Sequence, residues 1–178
     1  FRRVLFRSLY LDSKYISSLD TNIFRPPNHS ILMAYDFHLD AEEKPRLIEI
    51  NTNASASLIV DGIYKTLELP SPFGDFQKQI RESLRDQIAK PAVKAAILDS
   101  EPLQQKMYPE FLLYKKIFED IGWNCQIIDP QEFNTNFDFV YNRWTDFYLE
   151  SNEAEELRRA YLNKQTVLSP NPFSYCVL

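Results

Sequence analysis

The sequence predicts an α/β protein in which a β-hairpin and two helices precede a mostly parallel sheet. Three observations predict it. Two short apolar runs, residues 31–39 and 46–51, flank the charged turn Asp40-Ala-Glu-Glu-Lys-Pro45, the pattern of a hairpin. Phe76, Ile80, Leu84 and Ile88 recur every four residues, which is helical spacing. From Val93 onward strand-like and helix-like segments alternate, as they do when helices cross over between parallel strands.

Taken in order, residues 9–19 form a weak helical stretch, and the Pro-Pro-Asn-His run after Arg25 is a turn-rich linker. In the first hairpin strand Asp36 and His38 share one face by period two. The small polar run from Asn51 to Ser57 reads as a loop whose backbone approaches a ligand. Residues 58–67 and 74–88 read as helices, separated by Pro70 and Pro72. Residues 93–98 form a continuous apolar strand ending at Asp99. A helix follows over 109–121, with Phe111, Leu112, Ile117, Phe118 and Ile121 facing inward and Gly122 closing it. Residues 125–128 and 137–141 are strands, 153–162 a helix with Asn152 as N-cap, and 166–168 a last strand. This is a Rossmann-like sheet, whose ligand groups gather at the carboxyl ends of strands. Asp99, Asp129, Asn142 and Arg143 stand there.

The ends read differently. Residues 1–8 back-translate in frame to a common sequencing-adapter oligonucleotide, so they are expected to be a scar outside the fold. The remainder divides into a hairpin-and-helix region, 9–90, and a parallel-sheet region, 91–178. That second region is expected to be cut short at its C-terminus.

Composition narrows the function. A net charge of −5 argues against a phosphate-driven nucleic-acid binder, which needs a basic face. Three glycines and no Walker or dinucleotide pattern leave little room for a glycine-rich phosphate loop. Cys125 and Cys176 lack metal spacing and framework density, and reduced thiols point to the cytoplasm. No apolar run is long enough to span a bilayer.

The constellation with most chemical meaning is Asp36 with Glu49 and Asn51. Glu49 and Asn51 lie two apart on a strand, so both project from one face, and the turn brings Asp36 close. Two carboxylates and an amide oxygen are hard donors suited to Mg²⁺ shared with phosphates. The other reading is a solvated hairpin face whose acids stay in water. Arg143, just past a strand, can clamp a carboxylate or phosphate bidentately, or it can pair structurally with Asp146 or Asp138. Tyr141, Trp144, Phe147 and Tyr148 suit core packing or ligand stacking. His38 is a hydrogen-bonding neighbour or a titrating group, and Cys125 reads as a small buried apolar residue.

The blocks Tyr35-Asp-Phe-His-Leu39 and Arg46-Leu-Ile-Glu-Ile-Asn-Thr-Asn-Ala-Ser55 resemble those of circularly permuted ATP-grasp proteins. That group includes uncharacterised bacterial members, glutathionylspermidine synthase-like enzymes and, more distantly, eukaryotic-type glutathione synthetases. Tyr108-Pro-Glu-Phe-Leu-Leu113, Val140-Tyr-Asn-Arg143, Thr145-Asp-Phe-Tyr-Leu149 and Leu168-Ser-Pro-Asn-Pro172 follow in the same order, so the resemblance runs from about Ile31 to the C-terminus.

The resemblance implies an incomplete ATP-grasp fold from a ligase that uses ATP and one or two Mg²⁺ ions. Such an enzyme activates a small carboxylic acid as an acyl phosphate and passes it to an amine or thiol. It implies metal ligation by Asp36, Glu49 and Asn51 and acceptor binding near Asn53, Ser55 and Ser57; from its strand-end position, Arg143 is expected to be the catalytic group that binds substrate or phosphate, with Asp146 orienting it. The relatives' glycine-rich Asn-Ala-Gly-Gly loop is here Asn53-Ala-Ser-Ala-Ser57, which leaves the acceptor open. Their nucleotide-binding lysines and last metal acid would lie beyond Leu178. The alternatives are a non-catalytic ligand-binding protein on the same scaffold, or a small-ligand binder built on the Asp99 and Asp129 strand ends.

Overall fold

The computed structural model describes residues 24–176. The expected scar at 1–8 and the helical stretch at 9–19 lie outside the described residues.

The chain is α/β, with one antiparallel two-stranded sheet and one parallel four-stranded sheet. Strands β1 (Ala34–Leu39) and β2 (Pro45–Asn51) form the hairpin. Its turn is organised by Asp40, whose carboxylate accepts the Glu42 and Lys44 N–H groups at 3.0 and 2.9 Å and Arg46 Nε at 2.7 Å. Helices α1 (Ser57–Thr66) and α2 (Phe76–Gln87) follow, the second capped by Asp75 accepting from Lys78 N–H.

The parallel sheet comprises β3 (Lys94–Leu98), β4 (Asn124–Ile128), β5 (Phe139–Asn142) and β6 (Val167–Ser169), in the spatial order β4-β3-β5-β6. Helix α3 (Tyr108–Asp120) joins β3 to β4, and α4 (Glu155–Leu162) joins β5 to β6. A short helix α5 (Pro172–Cys176) follows β6, where sequence patterning gave only a loop. Because β4 and β5 flank β3 on opposite sides, the strand order reverses between β3 and β5. Doubly wound sheets open a ligand crevice at such a reversal.

Alternation along β3 sends Ala95 and Ile97 to one face and Ala96 and Leu98 to the other. The first face is covered by α1, α2 and α3 through Leu58, Ile80, Leu84, Phe111, Ile117 and Phe118. Ile31, Phe76 and Leu84 pack there with Val93 and Phe139, so one core draws on residues from both sides of position 90. The second face is covered by α4, with Leu157, Ala160 and Tyr161, and by Phe133 and Phe137.

Helix α3 ends in a Schellman turn: Trp123 N–H donates to Phe118 O and Gly122 N–H to Glu119 O, both 2.9 Å. Gly122 takes φ +90, a left-handed conformation that suits glycine, and the Phe118 and Trp123 rings meet at 5.6 Å. Two expectations fail locally. Leu112 is 47% exposed, because the buried stripe runs through Glu110, Phe111, Tyr114, Ile117 and Phe118. Asn152 does not cap α4 with its side chain; the N-cap is Ala154, and the Asn152 carbonyl accepts from Glu155 N–H. Among the described residues no helix is long and apolar enough to cross a membrane.

Candidate functional site

Two groups of residues approach each other through one loop. The first is the polar face of the hairpin. Asp36 pairs directly with Glu49, and Ala34 with Asn51. Directly opposed residues point to the same face with Cβ atoms about 5 Å apart, so Asp36, Glu49 and Asn51 share a face. Phe37 pairs with Leu47, which leaves Ile48 as an extra residue in a β-bulge. The bulge absorbs the two consecutive apolar residues Leu47-Ile48 and keeps Glu49 beside Asp36. His38 faces Arg46 on this side and is exposed.

Asp36, Glu49 and Asn51 are all exposed. Among the described residues no three His, Cys, Asp or Glu side chains converge as a metal cage. The face therefore offers two carboxylates and one amide. Mg²⁺ suits such a set, since it keeps several waters and takes one or two carboxylates together with phosphate oxygens. Asn51 Oδ1 already accepts the Asn53 N–H at 2.9 Å, and its second lone pair remains for a cation.

The second group lies at the carboxyl ends of β3 and β5. Arg143 N–H donates to Leu98 O at 2.8 Å, so the two strand ends are stitched side by side. The Arg143 side chain is only 8% exposed. Its Nη1 donates to Ala54 O at 2.9 Å and to the Tyr141 hydroxyl at 3.3 Å. Among the described residues no carboxylate lies within ion-pairing distance of it. The two acids expected as partners are engaged elsewhere. Asp138 binds Lys90 Nζ at 2.6 Å, and Asp146 accepts the Glu150 and Ser151 N–H groups at 2.9 and 3.0 Å. Asp146 thus shapes its own turn and does not orient Arg143.

The loop between the groups, residues 52–56, is built of small side chains that permit close docking. Asn53 Nδ2 donates to Arg143 O at 3.3 Å, Ser30 Oγ to Thr52 O at 3.0 Å, and Ala54 is buried against the guanidinium. Ser55 is exposed, and Ser57 opens α1 half-buried. Near Arg143 several buried polar atoms find no hydrogen-bond partner of good geometry among the described residues: Asn53 Oδ1, Thr52 Oγ1, and the Tyr114 and Tyr175 hydroxyls. The Tyr114 hydroxyl adjoins that of Tyr141, and Tyr175 adjoins Thr52. Burial pushes the Tyr114 phenol well above its ordinary range, so it stays a neutral donor. Orphaned polar atoms of this kind cost about 1–3 kcal/mol each and mark ligand or strained sites.

Asp99, at the end of β3, is 8% exposed, and burial pushes its carboxyl up to about 6. Asp129 beside it acts in the same direction, while the Ser100 N–H and Arg143 act against. Asp129 itself is tied into local caps, accepting from Glu101 N–H at 2.9 Å and Gln131 N–H at 3.1 Å. A cleft of about 410 Å³ opens here, lined in part by Glu101, Tyr108, Asp129 and Glu132.

The expected aromatic cluster divides. Tyr141 packs on Tyr114 at 4.7 Å in the core, Phe147 stacks on Tyr175 at 4.5 Å, and Tyr148 is 49% exposed. Burial pushes the Cys125 thiol up to about 12, which makes it inert as a nucleophile. Sequence reasoning missed Glu110 and Tyr114. The signal was present in α3, where Glu110 is the one charged residue on an otherwise apolar stripe at helical spacing.

Comparison with family models and with curated proteins finds no match to this chain.

Proposed function

We propose that this chain carries the metal- and acceptor-facing wall of an ATP-dependent ligase of the ATP-grasp kind, which joins a carboxylate to an amine or thiol through an acyl phosphate. The observation that carries this reading is the register of the hairpin. Asp36 stands opposite Glu49, Asn51 follows on the same face, and the next residues run directly onto Arg143. Asp36, Glu49 and Asn51 would hold the cation. When bound, Mg²⁺ would neutralise phosphoryl oxygens and fix them for attack. Arg143, charged and without an ion pair among the described residues, would bind the substrate carboxylate or the phosphoryl oxygens. Its low exposure strengthens that contact, because the charge acts in a poorly screened site. The docked loop would fix the direction of the guanidinium and exclude water from one side of it. In this chemistry the protein mainly positions groups and stabilises charge.

The test is acceptor-dependent ADP release by the parent protein. Glu49→Ala and Asn51→Ala should each abolish it, whereas turnover equal to the unsubstituted protein would refute the metal role. A second reading, a binding protein that captures an anion without turnover, is favoured by the contrast between the buried Arg143 and the exposed hairpin acids. It predicts anion binding at Arg143 that is indifferent to Mg²⁺ and to Glu49.

A further inference from the structure

Glu110 is 1% exposed, yet no cation pairs with it among the described residues. Its carboxylate instead spans the start of α1: Oε2 accepts the Ala56 N–H at 2.8 Å and Oε1 the Leu58 N–H at 3.1 Å. Helix α1 needs this help. Its N-cap, Ala56, has no side-chain oxygen to offer and takes φ 68, a left-handed conformation costly for alanine. The negative charge also lies in the first turn of its own helix, α3, so two helix N-termini stabilise it.

Upstream of Ala56 the same loop closes on Arg143. Ala54 O accepts from the guanidinium, and Asn53 Nδ2 donates to the Arg143 carbonyl. The loop is thus held at one end by Arg143 and at the other by Glu110, with only Ser55 between Ala54 and Ala56 to transmit any slack. The Tyr114 and Tyr141 rings pack on each other at 4.7 Å, and both phenols feel Glu110 and Arg143 electrostatically.

We propose that Glu110 is a positioning residue: it latches the 52–56 loop at the start of α1 so that Ala54 and Asn53 hold the Arg143 guanidinium in its anion-binding pose. The functional part of this claim rests on Arg143 as the anion-binding group; the latch itself does not. Glu110 touches no substrate in this scheme and acts through the loop.

The experiment compares the unsubstituted chain with Glu110→Gln and Glu110→Asp. Gln keeps the size but can accept only one of the two N–H groups well and turns a donor toward the other; Asp is one methylene short. Amide hydrogen exchange at Ala56, Leu58 and Ala54 should accelerate about tenfold or more in both variants, the scale of a lost hydrogen bond to a charged acceptor. The amide of Arg159, in the exposed part of α4, opens locally without disturbing the latch and should exchange unchanged. In parallel, inorganic phosphate binding at Arg143, read by calorimetry and checked by its loss in Arg143→Met, should weaken about tenfold in Glu110→Gln at a temperature where that variant is fully folded by circular dichroism.

Unchanged exchange at Ala56 and Leu58, or acceleration shared equally by Arg159, would overturn the latch. Faster loop exchange with undiminished phosphate affinity would reduce Glu110 to a helix cap and overturn the positioning role. If the unsubstituted chain takes no phosphate at Arg143, the proposed anion role of Arg143 falls and the positioning role falls with it, while the exchange rates still decide the latch.

Discussion

Replacing Arg143 with methionine separates a structural arginine from one held for a ligand. Methionine keeps much of the stem and its packing against Tyr141 but removes the charge. The loss has two parts. The charged hydrogen bond to Ala54 O, with that carbonyl left without its donor, costs about 2–3 kcal/mol, and the longer bond to the Tyr141 hydroxyl costs less. The gain is relief of a guanidinium held at 8% exposure without an ion pair among the described residues, worth several kcal/mol by the usual desolvation penalty. The two nearly cancel, so Arg143→Met should lie within about 1.5 kcal/mol of the parent chain, or within about 6 °C in Tm. Urea and thermal unfolding followed by circular dichroism measure both. A second readout comes from Asp99, whose carboxyl Arg143 lowers; in the variant it should titrate above its present value of about 6 in a carbon-13 NMR titration. Destabilisation of about 3 kcal/mol or more is the signature of a broken buried pair. That result, with an unmoved Asp99, would show that Arg143 belongs to the scaffold.

Asp99→Asn should change how stability depends on pH. The folded chain holds the Asp99 proton up to about 6, whereas the unfolded chain releases it near 3.8, so between these values the folded state binds more protons. Stability contributed by this group therefore falls as pH rises from about 4 to about 6 and is level above; the difference between parent and variant in urea melts across that range should show this slope, and parallel curves would contradict it. In a Cys176→Ser background Cys125 should resist a disulfide reagent at pH 8 until denaturant is added, and prompt native-state reaction would refute its burial. Leu84, fully buried between α2 and the sheet, should cost about 2–5 kcal/mol when changed to alanine, measured by urea unfolding. Phe37→Ser, on the apolar side of the hairpin at 48% exposure, should cost no more than about 0.5 kcal/mol, and a larger loss would mean that this face is covered.

Much of the α/β order was legible because it rests on local patterning. The fourfold spacing of Phe76, Ile80 and Leu84, the apolar run of β3 and Gly122 after α3 each carry their structure within a few residues. Hairpin pairing was legible too, since Asp40 and its charged neighbours mark the turn. The bulge at Ile48 was not read, although Leu47-Ile48 breaks the alternation there, and it is the bulge that fixes which acids meet. The partners of Arg143 were illegible for a different reason. Ala54 O and the Tyr141 hydroxyl reach it only after the loop docks, and a backbone carbonyl leaves no mark on the sequence. Nearby acids such as Asp146 looked like partners by proximity in the chain, but their turns claim them first. Glu110 lies 52 and 54 residues from the amides it accepts, a distance no periodicity reveals.

The central claim is that the polar hairpin face binds a divalent cation, and Mn²⁺ as a paramagnetic stand-in for Mg²⁺ tests it most directly. Titrated into isotope-labelled protein, it should broaden first the amide signals of Ala34, Asp36, Glu49 and Asn51. Asp36→Asn and Glu49→Gln should each weaken binding about tenfold or more, and Asp99→Asn should leave it unchanged. Broadening centred on Asp99 and Asp129, or binding indifferent to Asp36 and Glu49, would contradict the account.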